Sequence, residues 1–204
     1  MSSGRVLLTG ATGFIGRHCI ADLLARNYEV HAVTNKELPR ATEVRWHRAD
    51  LLDPEQSSSL VRQVRPTHLL HLAWYAEHGR FWRAFENLEW VKASLNLLRA
   101  FVETGGQRIV ATGTCAEYDW QNGHCKESTT PLHPQSLYGV SKNALRQIIE
   151  ETTRQSVISS AWARIFFLFG PDEQPGRLVP LIIRSQLLGE KVACSSGEQM
   201  RDYM

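Results

Sequence analysis

The sequence lacks several features that mark specialised classes of protein. Its four cysteines are widely spaced and form no CxxC pair, so neither a metal site nor a disulfide framework is indicated. Its 23 lysine and arginine residues nearly balance 21 acidic residues, and no basic run concentrates the charge, which gives no reason to expect nucleic acid as a partner. No apolar run approaches membrane-spanning length.

The bulk properties are those of an ordinary globular protein. Of the 204 residues, 43% are hydrophobic and 22% are charged, and this length accommodates one domain or one domain and part of another. An apolar strand is expected to start by about Arg5, which leaves no room for a signal peptide. We therefore expect a cytoplasmic protein with reduced thiols, no metal and no membrane partner.

Segments typical of strands and helices alternate along the whole chain, as they do in a parallel sheet with helices on both faces. Strands are predicted at residues 6–8, 28–33, 44–46, 68–73, 107–113 and 157–169. Helices are predicted at 81–103, 136–155 and 177–188, after a first helix that ends near residue 26 and a second that is entered through Asp53-Pro54. The right-handed crossover rule then favours an α/β fold with a doubly wound parallel sheet.

A glycine series follows the first predicted strand, in the segment VLLTGATGFIG at residues 6–16. Gly10 can take the positive φ of a tight turn, Gly13 allows a pyrophosphate to approach the backbone, and Gly16 allows the helix to lie close to the strand. The N–H groups and the positive dipole end of that helix form an anion site. Because the series lies between an apolar strand and a periodic helix, it predicts a dinucleotide-binding unit.

The run TGATGFIG also closely resembles the cofactor turn of the extended short-chain dehydrogenase/reductase family, which contains nucleotide-sugar epimerases, dehydratases and reductases. The resemblance implies a Rossmann-fold NAD(P)-binding domain at residues 1–170 and the start of a substrate-binding lobe at 171–204. The last four residues resemble the beginning of a family motif, so this lobe is expected to be truncated or missing. By analogy with the family's four-helix interface, the helices at 81–103 and 136–155 imply a homodimer.

The resemblance also assigns residues to the cofactor. Asp50 would accept from the adenine amino group while Leu51 packs on the ring, although a plain helix cap is an equally good interpretation of Asp50. Leu72 and Ala73 would lie along the pyrophosphate and ribose, and the preceding His71 is interpreted as a packed core residue. The full cofactor set is Gly10, Thr12, Gly13, Phe14, Ile15, Gly16, Arg17, Lys36, Asp50, Leu51, Leu72, Ala73, Tyr138 and Lys142.

The choice of cofactor depends on the end of the second strand. NAD-binding Rossmann proteins place an acid there to bind the ribose 2′-hydroxyl, whereas NADP-binding proteins supply positive charge. The expected position falls near Thr34, where no acid is present, and Arg17 and Lys36 could each bind a 2′-phosphate or be solvated surface cations. The sequence therefore favours NADP(H) over NAD(H).

Tyr138 and Lys142 carry the clearest chemical signal. Their spacing of four places both side chains on one face of a helix, about one turn apart. A phenol has a pKa of roughly 10, so a nearby cation is needed to stabilise its phenolate at neutral pH. Lys142 can provide that cation and, by the family resemblance, bind the ribose hydroxyls of the nicotinamide half of the cofactor.

A hydroxyl at the end of the preceding strand should complete the catalytic group. The segment at residues 111–118 resembles the family run that ends in an aromatic residue four positions after the catalytic Ser or Thr. This spacing selects Thr114, with Thr112 as the weaker choice, to orient the substrate oxygen towards Tyr138. The predicted triad is Thr114, Tyr138 and Lys142.

Departures from the family pattern narrow the set of reactions that are expected of this chain. Dehydratases of the family carry Asp and Glu directly after the catalytic hydroxyl, where this chain has Cys115 and Ala116, so water elimination is disfavoured. Cys115 is interpreted as a small packed residue, with a catalytic base as the alternative. Phe167 replaces an Asn that touches substrate phosphates in many relatives, and Asn87 is interpreted as packing.

These residues favour an NADPH-dependent reductase of a nucleotide-linked 4-keto-6-deoxyhexose. A nucleotide-sugar 4-epimerase would use the same triad and remains a close alternative. The other class considered is a non-catalytic NADP-binding regulatory module, but such relatives generally lose the Tyr or the Lys, and this chain retains both Tyr138 and Lys142.

Overall fold

The computed structural model describes residues 4–38, 43–121, 123–198 and 201–203. Its strands are β1 (Arg5–Thr9), β2 (Glu29–Thr34), β3 (Arg45–Arg48), β4 (His68–His71), β5 (Arg108–Thr114) and β6 (Ser159–Ile165). Its helices are α1 (Phe14–Ala25), α2 (Pro54–Val64), α3 (Glu86–Glu103), α4 (Leu137–Arg154) and α5 (Leu178–Leu188). A single 3₁₀ turn is assigned within this part of the chain, at Cys115–Glu117, directly after β5.

The strands form one parallel six-stranded sheet in the order β3-β2-β1-β4-β5-β6. This order confirms the predicted doubly wound Rossmann fold. The chain order reverses between β1 and β4, and in such sheets ligands bind at the carboxyl ends of the strands beside the reversal. No helix in the described ranges is long and apolar enough to cross a membrane.

The core lies on both faces of the sheet. On one face Leu7, Leu69 and Phe101 are fully buried in a cluster that spans β1, β4 and α3. On the other face Leu8 and Ala32 pack beneath the apolar residues of α1. Because both faces are covered, the central strands are continuously apolar, and the sheet is a rigid base for groups at its carboxyl edge.

Capping side chains fix several helix ends where the sequence predicts them. Asp53 caps α2 by accepting from the backbone N–H of Glu55 at 2.9 Å and of Gln56 at 3.1 Å. Ser136 caps α4 by accepting from the N–H of Gly139 at 3.1 Å. Gly189 ends α5 in the left-handed conformation, with φ of +69°.

Several element bounds differ from those predicted, and for three of them the structure gives the reason. Helix α3 begins at Glu86 instead of residue 81, because the Asn87 side chain binds the carbonyl oxygens of Phe81 and Ala84 and holds the preceding segment in turns. Strand β6 ends at Ile165 instead of residue 169, since its last partner on β5 is Thr114. Strand β4 stops two residues early, where β1 also ends.

Candidate active site

The glycine turn after β1 has the geometry that each glycine predicts. Gly10 has φ of +70°, and the N–H of Gly13 donates to its carbonyl oxygen at 2.9 Å. A Cβ on Gly16 would collide with the Gly10 carbonyl oxygen, so α1 can lie this close to the turn only with glycine at that position. Among the described residues no side chain caps α1, whose first N–H groups remain available to an anion.

A cleft of about 330 Å³ joins this turn to the predicted triad. Its lining includes most of the predicted cofactor residues and all three catalytic candidates: Gly10, Gly13, Phe14, Ile15, Gly16, Leu72, Ala73, Thr114, Tyr138 and Lys142. The remaining predicted residues are not part of this lining: Thr12, Arg17, Lys36, Asp50 and Leu51. The fold therefore brings the glycine turn and the predicted acid–base residues into one cleft at the reversal of strand order.

Arg17 and Lys36 differ in the contacts that their side chains already make. The Arg17 guanidinium donates to the carbonyl oxygen of Thr12 at 3.0 Å and pairs with Asp172 at 3.2 Å. Lys36 is exposed beyond β2, and Thr34 lies opposite Arg48 in the sheet register. The last residue of β2 is thus a threonine and not an acid, with Lys36 and Glu37 both exposed beyond it, and the preference for NADP(H) stays a prediction.

Asp50 and Leu51 lie just beyond β3. The Asp50 carboxylate is exposed and accepts from the N–H of Leu52 at 3.0 Å. The cap of the following helix is Asp53, so the alternative interpretation of Asp50 as a helix cap is wrong. Leu51 is buried in the core, whereas the neighbouring Asp50 carboxylate is exposed.

Thr114 and Tyr138 face one another across the cleft. Thr114 ends β5, is 6% exposed, and its Oγ1 accepts from the N–H of Ala116 at 3.2 Å. Burial raises the pKa of the Tyr138 phenol to about 12, and its hydrogen bond with Thr114 opposes part of that rise. The phenol is therefore protonated at neutral pH and can donate a proton to a substrate oxygen held beside Thr114.

Lys142 lies one turn further along α4 and is 4% exposed. Its ammonium donates to the carbonyl oxygen of Thr112 at 2.9 Å and lies 3.8 Å from the ring centroid of Trp74. Burial lowers the pKa of Lys142 to about 7, while the charge of Glu117 raises it. Thr112 thus serves the site through its backbone oxygen, which anchors Lys142.

A buried carboxylate that the sequence interpretation missed organises the end of β5. Glu117 is 0% exposed, accepts from the backbone N–H of Thr114 at 2.8 Å, and pairs with Arg164 at 2.8 Å. Trp162 donates its indole N–H to both carboxylate oxygens at 3.1 Å. A Cβ on Gly113 would collide with both Glu117 and Trp162, so glycine makes room for the network.

A second cavity, of about 680 Å³, opens beside the cleft. Trp82, Cys115 and Phe167 line both spaces. Beyond them its wall contains aromatic, small and polar residues, with Arg201 as a cation and Glu198 as an acid. Its size and its position against the triad make it the candidate substrate cavity.

The cysteine and histidine candidates near the triad are both buried. Burial raises the pKa of the Cys115 thiol, which therefore remains a thiol at neutral pH. His71 lies between Thr9 Oγ1 and Ser94 Oγ, at 2.8 Å from each, and burial lowers its pKa to about 3. His71 is a neutral, fully hydrogen-bonded core residue. Across the described ranges there is also no group of three or more His, Cys, Asp or Glu side chains that could hold a metal ion.

The sequence profile of the NAD dependent epimerase/dehydratase family matches residues 6–204. The chain belongs to this family. The match confirms the resemblance drawn from the glycine turn and the triad motifs, and it makes the chain a member of a family of nucleotide-sugar enzymes that use NAD.

Individual relatives agree with the family in both sequence and fold. A protein of Aggregatibacter actinomycetemcomitans named dTDP-6-deoxy-L-talose 4-dehydrogenase (NAD(+)) is 28% identical over 98% of this chain and 74% of its own length. A UDP-glucose 4-epimerase of Rhizobium leguminosarum bv. trifolii is 26% identical over 100% of this chain and 69% of its own. The crystal structure of a Thermus thermophilus UDP-glucose 4-epimerase with NAD is 30% identical, covers 98% of this chain and 70% of its own, and has a TM-score of 0.81.

Proposed function

We propose that the protein is a nucleotide-sugar oxidoreductase that reduces a nucleotide-linked 4-keto-6-deoxyhexose at C4. The observation that carries this proposal is the convergence of Thr114, Tyr138 and Lys142 with the glycine turn in one cleft. The name of the Aggregatibacter relative, a 4-dehydrogenase of a dTDP-6-deoxyhexose, supports the sugar class, because its reaction in reverse is such a reduction.

The residues present fit a nicotinamide dinucleotide. Gly10 and Gly16 form a turn that a Cβ would fill, and the uncapped N-terminus of α1 suits a pyrophosphate. When bound in this turn, a reduced nicotinamide cofactor would supply the hydride that the reduction at C4 requires. Thr114 holds the carbonyl oxygen and Tyr138 donates the proton to the developing alkoxide. Lys142, as an ammonium, stabilises the phenolate left behind.

The second cavity supports a nucleotide-linked substrate. Arg201 offers a cation to a diphosphate, while Trp82 and Trp120 offer aromatic surface to a sugar or base. Cys115 and Ala116 supply no carboxylate beside the reacting carbon, so the same cavity does not support elimination of water. Reduction at C4 requires only the triad and the cofactor.

We also propose that NADP(H) is preferred over NAD(H). The support is the end of β2, where Thr34 occupies the position of the usual acid and Lys36 and Arg48 lie close by in the chain and the sheet register. Parallel titrations with NADPH and NADH, followed by nicotinamide fluorescence, test this preference. Tighter binding of NADPH that is lost in Lys36→Ala supports it, and equal affinities contradict it.

We further propose a homodimer formed through α3 and α4. These helices pack side by side and expose Leu88, Val140 and Ile148, which are 49%, 48% and 40% exposed. Light scattering at increasing concentration would detect the dimer. A monomer at all concentrations would contradict the proposal.

A 4-epimerase is the second candidate, because the Rhizobium and Thermus relatives carry that name. The two reactions differ in whether the cofactor is consumed. The protein is incubated with a dTDP-linked 4-keto-6-deoxyhexose and NADPH, and separately with UDP-glucose and NAD, with Tyr138→Phe as the control.

Each outcome of that experiment selects one function. Stoichiometric oxidation of NADPH with formation of the 4-hydroxy sugar, abolished in Tyr138→Phe, supports the reductase. Inversion at C4 of UDP-glucose with no net change in cofactor supports the epimerase. Cofactor binding with neither reaction would support the non-catalytic module instead.

A further inference from the structure

Lys142 is held by an unusual pair of contacts. It donates to the Thr112 carbonyl oxygen at 2.9 Å, and its Nζ lies 3.8 Å from the centroid of the Trp74 ring. Among the ion pairs of the residues that the structure describes, none includes Lys142. The face of the indole is therefore the principal aromatic surface, with its negative quadrupole, against this buried ammonium.

The indole of Trp74 is itself fixed in place. Its N–H donates to the side-chain oxygen of Asn87 at 2.9 Å. The Asn87 amide then donates to the carbonyl oxygens of Phe81 at 2.7 Å and Ala84 at 2.8 Å, and Asn87 is completely buried. Asn87, interpreted from sequence as a packing residue, thus orients an aromatic ring towards Lys142.

With the other charged and titratable groups around it, Lys142 has a pKa close to neutral pH. Burial lowers the pKa of Lys142 to about 7, and the negative charge of Glu117 raises it. His71 on β4 is neutral at this pH, and Tyr138 on α4 is a neutral phenol. A contact that favours the ammonium form therefore decides how much of Lys142 is charged at neutral pH.

We propose that Trp74 is a positioning residue that keeps Lys142 as an ammonium beside Tyr138, and that Asn87 holds the indole in the orientation this requires. The catalytic part of this inference rests on the proposed function, because it assumes that Lys142 serves Tyr138. The part that concerns the charge of Lys142 does not. The two parts are tested by separate measurements.

The direct test is lysine side-chain NMR on protein labelled with ¹⁵N-lysine, with Lys142→Arg to assign the signal. In Trp74→Leu the pKa of Lys142 should fall by about one pH unit, a tenfold change in the ratio of protonated to neutral lysine. In Trp74→Phe the pKa of Lys142 should lie between the values of the wild type and of Trp74→Leu, because a benzene face binds cations more weakly than an indole face. Trp90→Leu, which removes the neighbouring indole 6.3 Å from Trp74, is the matched control and should leave the pKa unchanged.

An unchanged Lys142 pKa in a folded Trp74→Phe or Trp74→Leu protein would overturn the inference. So would an equal shift in Trp90→Leu, because it would indicate a general loosening of the cleft. If Trp74→Leu does not fold, Trp74→Phe retains most of the ring volume and still decides the question.

The second measurement is the pH profile of kcat for the proposed reduction. In Trp74→Leu the limb that reports loss of the Lys142 proton should move about one unit to lower pH, with activity recovered in more acidic buffer and KM for the sugar unchanged. A uniform loss of activity at every pH would indicate a structural role only and contradict the catalytic part. Failure of every protein to turn over substrate would count against the proposed function and leave the NMR result standing.

Discussion

The two walls of the cleft are built on different physical principles. The wall after β1 consists mainly of backbone: Gly10 and Gly16 shape a turn, and the N-terminus of α1 supplies N–H groups that no described side chain caps. The wall after β5 consists of buried ionisable side chains, where burial raises the pKa of Tyr138 and lowers that of Lys142, and the charge of Glu117 acts upward on both. Substitutions that add steric bulk should therefore disrupt the wall after β1, whereas changes of charge or pH should disrupt the wall after β5.

The largest expected effect comes from the charged wall. Replacing Glu117 by Leu leaves the largely buried Arg164 without its partner, since the two side chains form an ion pair at 2.8 Å. We expect the free energy of unfolding to fall by about 3–5 kcal/mol, as measured by denaturant titration. The double variant Glu117→Leu with Arg164→Met should recover much of that loss. A loss as large in the double variant would show that packing, and not the unpaired charge, dominates.

The steric counterpart is Gly16→Ala in the backbone wall. Its Cβ would collide with the Gly10 carbonyl oxygen, so α1 must move away from the turn. We expect a loss of about 1–3 kcal/mol in unfolding free energy and at least about a tenfold loss in cofactor affinity. Gly176→Ala is the matched control, because no described atom lies within 4 Å of the added Cβ. Wild-type affinity in Gly16→Ala would contradict the role of this close approach.

The pH dependence of the free energy of unfolding should also distinguish the wall after β5 from the wall after β1. In the folded state burial lowers the pKa of Lys142 to about 7, whereas the unfolded lysine titrates near 10.5. Between these values the unfolded chain binds the extra proton, so stability rises with pH, by up to about 1.4 kcal/mol per unit. Denaturant titrations from pH 7 to 10 should show this slope in wild type and a smaller one in Lys142→Met. The slope would be identical in both proteins if Lys142 kept its ordinary pKa.

The same contrast explains what the sequence could reveal. The glycine turn, the Asp53 and Ser136 caps and the strand order depend on local backbone requirements, and local requirements leave a local pattern. The shared position of Tyr138 and Lys142 in the cleft was also predictable, because they lie four residues apart on one helix face, while their catalytic role stays a prediction. These features needed no knowledge of distant contacts.

The supporting residues of the charged wall could not be predicted in this way. Glu117 meets Arg164 across 47 residues of sequence, and the sequence does not indicate which cation Glu117 pairs with. Trp74 reaches Lys142 only after β4 and α4 have packed against the same edge of the sheet. The start of α3 was placed too early for a similar reason, since the side chain of Asn87 holds residues 81–85 outside the helix. One signal was present: an acid four residues after Gly113, at the end of a buried strand.

The smallest expected effects come from Asp50 and Asp53, two acids three residues apart between β3 and α2. The Asp53 carboxylate caps α2 through two backbone N–H groups, whereas the Asp50 carboxylate accepts from the single backbone N–H of Leu52 among the described contacts. Asp53→Ala should lower the free energy of unfolding by about 1 kcal/mol and leave cofactor affinity unchanged. Asp50→Ala should lower cofactor affinity and leave the free energy of unfolding unchanged, because the exposed Asp50 carboxylate is free to accept from an adenine amino group. Paired denaturant and cofactor titrations decide between them, and a stability loss in Asp50→Ala without an affinity loss would remove Asp50 from the cofactor site.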